Sequence, residues 1–77
     1  MIAKKKPPKG RVNNEIRALR REAGLTQQDL ADHVGATRQT IVAIEQGKYA
    51  PSLELAFRIA RAFARDFEDV FQFNPEG

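Results

Sequence analysis

This chain predicts an all-α domain of five short helices, and three observations support that class. Apolar residues recur at three- and four-residue spacing from Ile16 onwards. A Thr, Ser, Asn or Asp precedes each such segment, and Gly24, Gly35 and Gly47 follow the first three. The chain has 77 residues and no cysteine, so one small core must be held by helix packing, with dimerisation as a further source of stability.

Residues 1–11 read as a basic arm, in which Pro7, Pro8 and Gly10 prevent a helix. Such an arm is either a tail without a role or a source of phosphate and minor-groove contacts. The domain proper is expected over 12–77. Helix one should run from Asn13 or Asn14 to Ala23 with an Asn as N-cap, turning Ile16, Leu19 and Ala23 inwards. Arg17 and Arg21, four residues apart, fall on its solvated face.

Helix two is expected over Gln27–Val34. Thr26 caps it, Asp29 completes a capping box, and Leu30, Ala31 and Val34 face the core. His33 has no second metal-type ligand at helical spacing and reads as an exposed helix residue. Gly35 supplies a left-handed turn, and Thr37 caps helix three, Arg38–Gln46. Ile41 and Ile44 lock that helix from inside, leaving Arg38, Gln39, Val42, Ala43 and Gln46 outside. This is the pattern of a helix-turn-helix whose second helix is offered to a partner. Arg pairs bidentately with guanine and Gln with adenine, so Arg38 and Gln39 are the leading base-contact candidates. Thr37 and Val42 are further ones, through a thymine methyl, although Val42 could be a neutral spacer and Thr37 also caps. Thr40 is a candidate for phosphate.

Pro51 and Ser52 start helix four, expected over Leu53–Ala64, with Leu55, Ala56, Ile59, Ala60 and Phe63 on one face. Arg58, Arg61 and Arg65 lie outside that face. Asp66 is the expected cap of helix five, Phe67–Phe71. So small a domain cannot easily bury all of Phe57, Phe63, Phe67, Phe71 and Phe73. Val70, Phe71 and Phe73, within a segment 67–75, are therefore candidates for a two-fold dimer interface. The alternative is that Phe71 and Phe73 pack back onto helix one or four.

The run Thr26-Gln27, Leu30-Ala31, Gly35, Thr37-Arg38-Gln39-Thr40-Ile41, Ile44-Glu45, Gly47-Lys48, with Tyr49, Pro51-Ser52-Leu53 and Phe67 to Gln72, resembles the Xre family of phage-repressor and Cro-like helix-turn-helix regulators. The resemblance covers Val12 to Pro75 and is closest to short regulators of the cytolysin-repressor type. It implies a five-helix, lambda-repressor-like DNA-binding domain. It also implies an ion pair between Arg20 and Glu45, and phosphate contacts from Gln27, Lys48 and Tyr49. Tyr49 could instead cover the core. After helix five, the resemblance implies a short strand pairing with its symmetry mate. The family commonly places Gly or Asn after helix four, whereas this chain has Ala64-Arg65-Asp66. A non-Gly residue must then turn left-handed there, or the helix must end differently.

Net charge is +3, but residues 1–11 carry five of the thirteen basic residues and no acid. The other eight basic residues face all ten acids within 12–77, so DNA binding requires charge segregated by face. No paired carboxylates, metal cluster or nucleophile–base set stands out, so neither an enzyme nor a cofactor or metal is expected. No apolar run approaches the roughly 20 residues that span a membrane, and a cytoplasmic protein is the expectation. The leading function is a sequence-specific double-stranded-DNA-binding regulator, a repressor acting as a homodimer on an inverted repeat. The rival is an antitoxin or phage-type accessory protein that works through a protein partner.

Overall fold

The computed structural model describes residues 9–77 and holds five helices and two strands. In chain order these are β1 (Arg11–Asn14), α1 (Ile16–Ala23), α2 (Gln27–Val34), α3 (Arg38–Glu45), α4 (Leu53–Ala62), α5 (Phe67–Val70) and β2 (Phe71–Asn74). The arm reading falls mostly on residues 1–8, outside the described residues. Its end is corrected, because Arg11 belongs to a strand.

The helices start and stop for the reasons their punctuation implies. Thr26 accepts the Asp29 N–H at 2.9 Å and donates its own N–H to the Asp29 carboxylate at 2.9 Å, a complete capping box. Thr37 accepts from Thr40, and Ser52 from Leu55, each at 3.2 Å. Asp66 occupies the N-cap of α5 without a side-chain hydrogen bond, so its expected capping is not made. Helix four ends two residues early, at Ala62. There Ala64 itself turns left-handed, with φ +53°, while the Arg65 N–H donates to the Ala60 carbonyl at 3.1 Å.

Helix one also starts later than expected, at Ile16 behind Glu15. Residues 11–14 are drawn instead into an antiparallel pair with β2, in the register Arg11↔Asn74, Val12↔Phe73, Asn13↔Gln72, Asn14↔Phe71. The strand after helix five thus exists, and its partner here is β1 of the same chain. Asn14 still serves helix termini. Its amide oxygen accepts the Ile16 N–H at 3.1 Å, and its Nδ2 donates to the Ile44 carbonyl at 2.9 Å, near the end of α3. The Glu15 N–H donates to the Val70 carbonyl at 2.9 Å, tying the start of α1 to the end of α5.

The core runs through all five helices: Ile16 and Leu19; Leu30, Ala31 and Val34; Ile41 and Ile44; Ala56, Ile59 and Ala60; and Val70 with Phe71 just beyond it. Val70 and Phe71, expected at a dimer surface, are buried within this single chain. The physical reason is the β1–β2 pair, which turns Phe71 inwards beside Asn14. Phe73, two residues on and on the same face of the strand, emerges into solvent. No helix among the described residues is long and apolar enough to cross a membrane.

Candidate nucleic-acid interface

Helix α3 projects from the domain as a ridge. Ile41 and Ile44 are its buried stripe, which at 100° per residue puts Gln39 and Gln46 on the crest opposite. Arg38 and Gln39 are exposed, whereas Val42 and Ala43 are half-buried on the flanks. Of the residues expected to contact bases, Arg38 and Gln39 are exposed with Gln46, whereas Val42 lines the groove on one side of α3 and Thr37 the groove on the other.

A groove lies on each side of this ridge. On one side a hollow of about 620 Å³ is lined by Arg38, Val42, Glu45 and Gln46 of α3 and by Arg17, Arg20 and Arg21 of α1. The first residues of α2, Thr26 to Gln28, complete it. The other side is a shallower cleft of about 550 Å³, where Thr37 and Thr40 face Tyr49, Ser52 and Arg58. The two threonine hydroxyls lie 2.9 Å apart, so one donates to the other. Tyr49 is half-exposed, and the reading in which it covers the core is not the one realised. Lys48 is exposed in the loop beyond α3.

One bidentate ion pair fixes the angle at which α3 leaves the body. Arg20 donates from Nε to Glu45 Oε2 at 2.9 Å and from Nη2 to Oε1 at 3.2 Å, with side chains only 12% and 6% exposed. Its Nη1 also donates to the Leu25 carbonyl at 3.0 Å. These hydrogen bonds to Glu45 raise the guanidinium pKa. Gln27 joins the same cluster, its Nε2 donating to Glu45 Oε1 at 3.4 Å. Its amide nitrogen is therefore occupied, while its backbone N–H at the start of α2 has no acceptor among the described residues.

Sequence reasoning placed Arg17 and Arg21 on a plain solvated face, and the fold sets them beside the reading helix. The available signal was indirect. Once Arg20 is paired with Glu45, its neighbours one turn before and one residue after must come near the end of α3, where Glu45 sits.

A capped helix, a left-handed glycine turn and a second helix with a polar exposed crest together define a helix-turn-helix protein. A family model described as helix-turn-helix, HTH_3, matches residues 16–70, and the chain belongs to this Xre-type family. An uncharacterized HTH-type transcriptional regulator of Methanothermobacter thermautotrophicus is 57% identical over 63 residues, covering 80% of this chain and 91% of that one. The uncharacterized HTH-type transcriptional regulator YgzD of Bacillus subtilis is 46% identical over 65 residues, covering 84% and 98%. Among solved structures, the transcriptional regulator VanUg aligns with a TM-score of 0.72 over 97% of this chain and 99% of its own; at 18% identity this likeness is one of fold. The relatives are regulators by name, not enzymes.

Proposed function

We propose that the protein is a sequence-specific, double-stranded-DNA-binding repressor of transcription that reads its operator with α3. The observation that carries this reading is the polar face of α3, with Arg38, Gln39 and Gln46 exposed above a fully packed apolar stripe. Arg38 and Gln39 are the base readers, and Val42 and Thr37 add apolar contact to thymine. Thr40, Tyr49 and Lys48 hold phosphates on the far flank, and Gln27 does so on the near one through its N–H. The regulators among its relatives support the same class of function.

The protein acts as a homodimer on an inverted repeat, its two reading helices roughly 34 Å apart in successive major grooves. With Val70 and Phe71 buried, the surface that supports this role is the apolar patch of Val12, Leu53, Phe57 and Phe73. Val12, Leu53 and Phe73 line a hollow of about 350 Å³ together with Ala56, Phe67 and Phe71, and Phe57 packs against Phe67. The same patch supports the second reading, an accessory protein whose aromatic surface grips a different partner.

Affinity selection on random duplex DNA at about 0.15 M salt tests the first reading. Enrichment of an inverted repeat with half-sites about one helical turn apart is the expected result. Binding without enrichment rules out sequence-specific repression, and no retention moves the assignment to the protein partner.

A further inference from the structure

We propose that Arg17 and Arg21 form a sequence-independent clamp for one DNA phosphate, seated in the groove between α1 and α3. The inference rests on the DNA-binding reading and assigns α1 a share in it. Both side chains line the groove that also holds Arg38, Val42 and Gln46. They lie one helical turn apart, so their heads can converge on a single anion from the same side. Neither makes a hydrogen bond or an ion pair among the described residues.

The neighbouring charges explain why these two arginines, and not the third, are available. Arg20 spends its guanidinium on Glu45 and the Leu25 carbonyl. Glu45 is the only acid lining the groove, and it is neutralised by Arg20 and hydrogen-bonded by Gln27. What remains is a hollow with Arg17, Arg21 and Arg38 at its edges and the open N–H groups of α2 at one end. Arg38 is committed to base edges in the proposed complex. Arg17 and Arg21 lie on a different helix from the reading residues, where a flanking phosphate would pass. A phosphate there would also feel the positive end of the α2 dipole.

Arg21 has a purely structural alternative, since a cation in the last turn of α1 complements that helix's own dipole. A structural role would change unfolding and leave the salt dependence of binding alone. The test therefore measures binding of the full chain to two probes by fluorescence anisotropy across a salt series. One is the duplex recovered by the selection above, and the other is a mixed-sequence duplex of about 20 base pairs.

The double variant Arg17→Ala/Arg21→Ala should lose on the order of ten- to thirtyfold at about 0.15 M salt on both probes, leaving their affinity ratio unchanged. The slope of log K against log salt should become shallower by about one in total, for the single phosphate no longer neutralised. Arg17→Lys/Arg21→Lys should restore most of that slope. Arg61→Ala, which removes a charge on α4 away from the groove, should barely alter it. An unchanged slope, a changed affinity ratio, or an equal loss from Arg61→Ala would overturn the clamp and leave DNA reading by α3 intact. Wild-type protein that binds neither duplex would overturn both.

Discussion

Arg20 and Glu45 lie 25 residues apart and meet through two hydrogen bonds, from Nε to Oε2 and from Nη2 to Oε1. The pair joins the last turn of α1 to the last residue of α3, the helix proposed to read DNA. It touches no core residue by charge; its effect is on geometry. Removing one partner leaves the other nearly buried and unpaired. Arg20→Ala should therefore cost about 3 kcal/mol in urea unfolding, and Arg20→Lys should recover little, because an ammonium cannot span both oxygens. Unchanged stability in Arg20→Ala would show that the apolar contacts alone fix the helix crossing.

The two proposed readers on α3, Arg38 and Gln39, can be separated by their base preferences. Arg38→Ala and Gln39→Ala should each relax specificity at one half-site position, at about 1–3 kcal/mol, without lowering the melting temperature. Competition between the selected duplex and single-base variants measures this. Preferences that survive both substitutions would remove α3 as the reader.

Ala64 holds a left-handed conformation with φ +53°, the only non-Gly residue with positive φ among those described. Its Cβ is strained there by about 1 kcal/mol, part of which glycine recovers after its own entropy cost. Ala64→Gly should raise stability by roughly 0.5–1 kcal/mol, read as a rise in the unfolding midpoint. A fall would mean that the turn is held by contacts of the methyl group.

The apolar patch can be probed from two sides. Gly10 passes so close to Phe73 that an added Cβ would fall 2.4 Å from the ring, so Gly10→Ala must displace that side chain. Phe73→Asp and Gly10→Ala should both shift the proposed homodimer towards monomer in sedimentation and weaken operator binding, with the fold intact. Val70→Ala should act differently, destabilising the domain itself by about 1–3 kcal/mol, because Val70 is fully buried. If Phe73→Asp leaves the dimer unchanged, this patch does not join the two copies.

The capping box of α2 contributes a pH dependence of known sign. Hydrogen bonds from the Thr26 backbone N–H and then its side chain hold the Asp29 carboxyl below its ordinary pKa. A depressed folded-state pKa stabilises above the unfolded value and ceases to do so as pH falls through the folded one. The melting-temperature gap between wild type and Asp29→Asn should thus be present at neutral pH and close below the usual carboxylate range. A gap that persists at pH 2 would place the contribution elsewhere.

The helix-turn-helix was legible in the residues because its determinants are local. Thr26 with Asp29, the turn at Gly35, and Ile41 with Ile44 each act within one or two turns of chain, so spacing alone reveals them. The pairing of Arg20 with Glu45 follows from the family's pattern rather than from periodicity, and the fold makes it. Neither kind of signal exists for a two-strand pair between opposite ends of the chain. Asn13 and Asn14 are good helix caps by local rule, yet β1 forms because β2 lies alongside, 60 residues later, offering its N–H and C=O groups.

That one non-local pairing decided the rest. It delayed α1 to Ile16, drew Phe71 inwards with Val70, and left Phe73 in solvent beside Val12. It thereby left Val12 and Phe73, rather than Val70 and Phe71, as the exposed apolar residues at this end of the domain. Likewise, only the groove that α1 shares with α3 distinguishes Arg17 and Arg21 from other exposed arginines. Capping, turns and apolar periodicity are written over three or four residues and were determined by the sequence alone. Which strand edge is covered and which arginine lines which groove depend on distant segments meeting, and those were settled by the tertiary structure.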